Sequence, residues 1–118
     1  MPTILVVYNA KDAKTADDYE AYLKKKKVAF TRSLPGVESY EIYRGDMVIA
    51  PLTAEVKDLP SQPPYQFVAK IEVSDMDKFA QFQTTPEAQA FLAEYGAYLD
   101  PGGPLNVFVL GHRIEPGA

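Results

Sequence analysis

The chain predicts an α+β fold, a βαβ-βαβ sandwich whose four-stranded antiparallel sheet carries its helices on one face. Three observations lead there. Phe67, Ala69, Ile71 and Val73 alternate with Gln66, Lys70 and Glu72 at strand period, and the run breaks at Ser74 into a helix start. A similar unit precedes it, from a strand at Thr3 to Tyr8, through a long helix, to a strand at VESYEIYR. Right-handed crossovers in two such units put both helices on one side and give the spatial strand order fourth, first, third, second.

In chain order, Thr15 is the expected N-cap of the first helix, with Asp17 and Asp18 in its first turn where the helix dipole favours negative charge. This helix should run to about Leu34 on an apolar stripe of Tyr19, Leu23, Phe30 and Leu34, flanked by Tyr22, until Pro35-Gly36 ends it. Val37 to Arg44 follows as a strand. Residues 45 to 64, rich in proline, read as an arm with a short strand at Met47 to Ala50, because structureless loops of that length are uncommon inside a domain. Tyr65 to Val73 is the third strand, and Ser74 is expected to cap the next helix with Asp77 at the N3 position. Thr85-Pro86-Glu87 starts a second helical piece with Ala88, Phe91, Leu92 and Tyr95 on its apolar face, so this crossover is in two parts. A turn at Asp100 to Pro104 leads to the last strand, Leu105 to Ile114.

At 118 residues the chain is read as one domain, 1–118, able to bury about two thirds of its unfolded surface without staples. It has no cysteine, which excludes disulfides, thiolate metal sites and a cysteine nucleophile. The net charge of −4 argues against a nucleic-acid surface. Lys24 to Lys27 form the one basic run, and on a helix four consecutive residues surround the axis instead of forming a stripe. MPTILVVY lacks a basic n-region and is too short a run for a signal or membrane segment, so a cytoplasmic protein with no membrane partner is expected. Apolar residues on both sheet faces, Leu5, Val7 and Val68 among them, predict a homodimer that covers the face away from the helices.

VVYNAKDAKTADDYEAYL, VESYEIYR and PPYQFVAKIEVSDMDKF are similar to the REDY-like HapK family, small proteins associated with prodigiosin-type pigment biosynthesis. The resemblance implies a ferredoxin-like sandwich pairing as a dimeric α/β barrel, related to EthD-like proteins and antibiotic-biosynthesis monooxygenases. Those relatives place a ligand between sheet and helix. EthD-like proteins often carry a histidine on the first helix, near the place of Lys26 and Lys27 here. Haem-degrading relatives use a first-strand asparagine, which Asn9 could mimic, but also a tryptophan and a helical histidine, and this chain has no Trp and a single His, His112.

Lys26 is the candidate catalytic residue, because an ideal helical wheel places it near the centre of the Tyr19, Leu23, Phe30 stripe. A lysine there must snorkel, pair or line a cavity, and desolvation would lower its pKa toward a base or Schiff-base role. Lys27, on the flank, is expected to be ordinary. Tyr8, Asn9, Tyr22, Tyr40, Tyr43, Arg44, Tyr65 and His112 are the candidate ligand-binding residues, suited to an aromatic or polyketide-like metabolite through ring stacking and hydroxyl orientation. Each has a plainer reading, since tyrosines commonly fill half-buried sheet positions and His112 shares strand parity with Phe108, Leu110 and Ile114. Lys70 and Glu72 read as a cavity pair or as interface charges. With one imidazole and no thiol, no metal and no cofactor is expected. The functional expectation is a small-molecule binding protein of secondary metabolism, with or without a cofactor-independent reaction. A non-catalytic binding or assembly module is the alternative, and an N-terminal-proline tautomerase, requiring removal of Met1 to free Pro2, is a minor one.

Overall fold

The computed structural model describes residues 1–49, 52–53, 55–58, 66–102 and 106–117. Strand β1 (Thr3–Tyr8) leads into one long helix in three parts: α1 (Ala13–Tyr22), a π turn (Leu23–Lys27) and α2 (Val28–Arg32). Then come β2 (Val37–Arg44), the hairpin strands β3 (Met47–Ile49) and β4 (Val56–Asp58), β5 (Phe67–Val73), helices α3 (Met76–Phe82) and α4 (Pro86–Gly96), and β6 (Asn106–Val109). The main sheet has the order β2-β5-β1-β6 with every neighbour antiparallel, which is the expected order read from its other edge.

Alternation decides which residues meet the helices. Phe67, Ala69, Ile71 and Val73 of β5 are buried beneath them, while Val68 and Lys70 face away. On β1, Ile4 and Tyr8 take the helix side, and on β2 Tyr40 does. Tyr19 and Leu23 pack from the long helix onto Tyr8 and Phe67, and Met76 and Phe79 of α3 join the cluster around Ile4, Tyr40 and Val73.

Two caps are displaced from their expected places, one three residues earlier and one a single residue later. Asp12, not Thr15, caps α1 by accepting from the Thr15 N–H at 2.7 Å, so Asp17 and Asp18 fall beyond the first turn. Asp75, not Ser74, caps α3 by accepting from the Lys78 N–H at 3.0 Å, and the Ser74 hydroxyl donates to the Gly36 carbonyl instead. In both cases the aspartate carboxylate accepts from the N–H three residues on, the bond an N-cap makes. Thr85 caps α4 with Pro86 in its first turn, as expected. The arm carries a short hairpin, Met47 pairing with Asp58, where a single strand was expected. The last strand ends at Val109, short of the expected Ile114, and the segment after it is exposed without regular structure.

Candidate functional site

The long helix is where sequence periodicity and structure part. At Leu23–Lys27 its hydrogen bonding widens from i→i+4 to i→i+5, seen in the Val28 N–H bonding to the Leu23 carbonyl. A wider turn rotates the chain less than the roughly 100° per residue of an α-helix, so every later side chain lags behind its ideal position. Lys27 therefore takes the inward place that an unbroken α-helix would give Lys26. The inward row is Tyr19, Leu23, Lys27 and Thr31, all buried, with Lys27 only 7 % exposed. Lys26, the expected catalytic residue, lies on the outside, bound to Glu94 Oε1 at 2.5 Å, and is not among the residues that line the cavity.

Between the helices and the sheet lies a cavity of about 260 Å³. Ile4, Val6, Ala69, Ile71 and Val107 form its floor, and Phe79, Phe82, Phe91, Leu92 and Tyr95 close it from α3 and α4. Phe30 supports this wall, its ring 4.4 Å from that of Phe91. The polar residues of the lining are Lys27, Thr31, Tyr8 and Tyr40, with Gln83 and Gln89 on the side of α3 and α4. Lys27 Nζ donates to the Tyr19 hydroxyl at 2.5 Å, and that hydroxyl shares a 2.6 Å hydrogen bond with Tyr8. The same Nζ sits 3.8 Å from the centre of the Tyr95 ring, close enough for a cation–π contact.

Burial alone pulls the Lys27 ammonium from an ordinary value of 10.5 down to about 7. Among the described residues no carboxylate forms an ion pair with it. Burial also pushes the Tyr8, Tyr19, Tyr40 and Tyr95 hydroxyls above the usual phenol range, so they stay protonated near neutral pH. Lys27 is thus the group in this cluster whose charge changes near neutrality. A neutral amine facing an apolar cavity can accept a proton or attack a carbonyl, while the hydroxyls orient what is bound.

Of the ligand-binding candidates, Tyr8 and Tyr40 line the cavity. Tyr22 is on the outer side, donating to Glu94 at 3.0 Å and stacked on Tyr98 at 5.1 Å. Asn9 closes the end of β1, its side-chain oxygen accepting from the Gln66 N–H at 2.6 Å. Tyr43 is three residues from Tyr40 and so occupies the opposite face, where its hydroxyl donates to Glu41. Arg44 is spent on Asp17 at 2.8 Å and Glu20 at 3.5 Å. His112 is exposed beyond the last strand, and Tyr65 lies outside the described residues. Lys70 and Glu72 pair at 3.4 Å on the face away from the cavity, which removes them as a cavity pair. Pro2 is not among the cavity-lining residues, and its carbonyl accepts from the Val73 N–H. Lys27, Thr31, Tyr19 and Tyr95 went unread as site residues. The signal for the first three was the Tyr19, Leu23, Lys27, Thr31 row at spacing four, and Tyr95 lay on the expected apolar face of α4.

A four-stranded antiparallel sheet with two helical crossovers on one face, and an apolar cavity between sheet and helices, defines the chain as a ferredoxin-like α+β protein. The family model described as REDY-like protein HapK matches residues 2–114, and the chain belongs to that family. Among solved structures it is similar to HapK from Hahella chejuensis, at TM-score 0.71 and 18% identity, covering 100% of this chain and 97% of that one. It is similar at TM-score 0.60 and 16% identity to SnoaB, a cofactor-independent oxygenase from Streptomyces nogalater, covering 98% and 97%. A dimeric ferredoxin-like protein of unknown function from Thermobifida fusca matches at TM-score 0.52 and 15% identity, covering 92% and 90%. These likenesses share the fold. No curated protein matches the chain. Among the described residues no helix is long and apolar enough to cross a membrane.

Proposed function

We propose that this protein is a homodimer that binds a small, largely apolar aromatic or polyketide-like metabolite between sheet and helices, serving secondary metabolism as an accessory protein or cofactor-independent enzyme. The cavity carries this reading: an apolar space of about 260 Å³ with a buried lysine and tyrosine hydroxyls at one end. Ligand pockets commonly measure about 300–1,000 Å³, so this one suits a ligand of a few rings and not an extended chain. Membership of the REDY-like HapK family and the fold shared with a cofactor-independent oxygenase agree with the metabolic setting. Lys27 favours a reaction over passive storage, because a buried amine without a counter-ion is costly to keep in a site that only needs shape.

The dimer rests on the other face of the sheet. Leu5 and Val7 of β1, Val68 of β5 and Phe108 of β6 lie there, with Val68 38 % and Phe108 44 % exposed. Lys70, Glu72 and Glu41 border them on the same face, giving a two-fold interface charges of both signs to pair. The matching Thermobifida fusca protein of the same fold is dimeric.

Native mass spectrometry on protein exposed to metabolite extract tests both parts at once. The expected spectrum shows twice the 13.1 kDa chain mass together with an added small molecule. That molecule should be missing from Lys27→Met and retained by Lys26→Met. A monomer at tens of micromolar would remove the dimer, and retention of nothing from extract would remove the metabolite-binding reading.

A further inference from the structure

We propose that the molecule taken by this cavity is an aromatic acid in the broad sense, an apolar ring system bearing one phenolic, enolic or carboxylic oxygen, and that Lys27 holds this oxygen as the anion while Thr31 donates to it. The inference rests on the proposed function and names the ligand class for the same cavity.

The groups facing Lys27 decide its needs. Tyr8 approaches from β1, Tyr40 from β2, Tyr19 from α1 and Tyr95 from α4, and all are neutral near pH 7. β5 and β6 offer Ala69, Ile71 and Val107, α3 offers Phe79 and Phe82, and Gln83 and Gln89 add neutral amides, so none of these carries charge. The ion pair of Lys26 with Glu94 belongs to the outer surface. A protonated Lys27 therefore has the Tyr19 hydroxyl as acceptor and the Tyr95 ring beside it, but no anion among the described residues. Nor is it the one group left wanting. The Thr31 Oγ1, one turn further along the same helix face, is buried and has no hydrogen-bond partner among the described residues, and it lines the same cavity. A cationic ligand would repel the ammonium, and a hydrocarbon would leave it without a counter-ion and the Thr31 hydroxyl without a partner. An oxygen anion on an apolar body satisfies both, since it accepts from the ammonium and from the hydroxyl while its rings meet Phe79, Phe82 and Phe91.

Proton balance is simple. A neutral ligand loses its O–H bond, the proton forms an N–H bond on the neutral amine, and an ammonium–oxyanion pair remains with no net change in charge. The complex then holds one proton between the two groups. Affinity should be flat at pH values between the Lys27 and ligand pKa values, and should fall about tenfold per unit outside that window. With a weak phenol the lower limb lies just below neutrality, where free Lys27 becomes charged before the ligand arrives.

The test compares 2-naphthol with 2-methoxynaphthalene, which has the same rings and no acidic proton. Wild type and Lys26→Met are expected to bind the naphthol at least about tenfold more tightly than the ether, a gap that closes in Lys27→Met and narrows in Thr31→Val. The absorption of naphthol bound to wild type at pH 8 should be that of naphtholate, a reading that needs no variant. Equal affinities for the two compounds, a gap that survives in Lys27→Met, or bound naphthol with the neutral spectrum would overturn the inference and leave the cavity as a site for neutral rings. If neither compound binds at millimolar concentration, this inference falls on its ligand class, and the proposed function stands or falls separately on what is retained from extract.

Discussion

Replacing Lys27 with methionine is expected to stabilise the fold by roughly 2–4 kcal/mol at neutral pH. Moving a lysine from 10.5 to about 7 costs the charged form about 1.4 kcal/mol per pKa unit, and methionine keeps the apolar stem while removing that cost. The lost hydrogen bond to Tyr19 and the lost contact with the Tyr95 ring offset part of the gain. The sign of the pH dependence follows from where the proton sits. Between about pH 7 and 10.5 the unfolded chain still binds a proton that the folded chain has released, so wild-type stability should rise with pH, by up to about 1.4 kcal/mol per unit. Below pH 7 both states are protonated and the full penalty applies. Above about pH 10 the tyrosines act in the opposite sense, because Tyr8, Tyr19 and Tyr40 hold protons in the fold that unfolded tyrosines lose. Urea unfolding at pH 6, 7.5 and 9 should show wild type gaining stability and Lys27→Met nearly level. Parallel curves would mean that Lys27 keeps its charge and reaches solvent.

Gly36→Ala is expected to cost about 2–4 kcal/mol, with a fall in Tm on the order of 10 °C. Gly36 holds φ +80°, a region that costs a residue with a Cβ roughly 1–2 kcal/mol. An added Cβ would also lie 2.5 Å from the Asp75 carbonyl oxygen, a backbone atom. That atom cannot easily retreat. It accepts from the Phe79 N–H in the first turn of α3, while the Gly36 carbonyl accepts from the Ser74 N–H at 2.8 Å. The substitution thus loosens the join between the start of β2 and the end of β5, beneath the α3 wall of the cavity. A Tm within a degree of wild type would show that the α3 start gives way freely. Because Gly36 is remote from Lys27 in role, the variant separates damage to the fold from loss of the site's chemistry.

Much of the architecture was legible because its signals are local and have fixed periods. VESYEIYR marked β2 to the residue, the alternation in β5 identified its buried face, and Thr85-Pro86 located the start of α4. The helix phase was not legible in the same way. A π turn leaves no mark on an ideal wheel, and a single widened turn exchanges Lys26 for Lys27 at the centre of the inward face. The opposite placement of Tyr40 and Tyr43 could have been read from their odd spacing alone, which no single strand face accommodates. Tyr95 and Phe91 belonged to the predicted apolar face of α4, yet their meeting with Lys27 depends on how α4 packs across the sheet, a tertiary fact. His112 was placed by extending strand parity past Val109, where pairing with β1 ends.

Lys27 is an amine whose buried place in the cavity lowers it to titrate near neutrality. An NMR titration following the lysine side-chain Cε and Hε signals from pH 5 to 11 tests this most directly, with Lys27→Met supplying the assignment. One resonance with a midpoint near 7, absent from Lys27→Met and present in Lys26→Met, is the predicted result. Every lysine titrating near its ordinary value of about 10.4, or a neutral midpoint that survives in Lys27→Met, would contradict it.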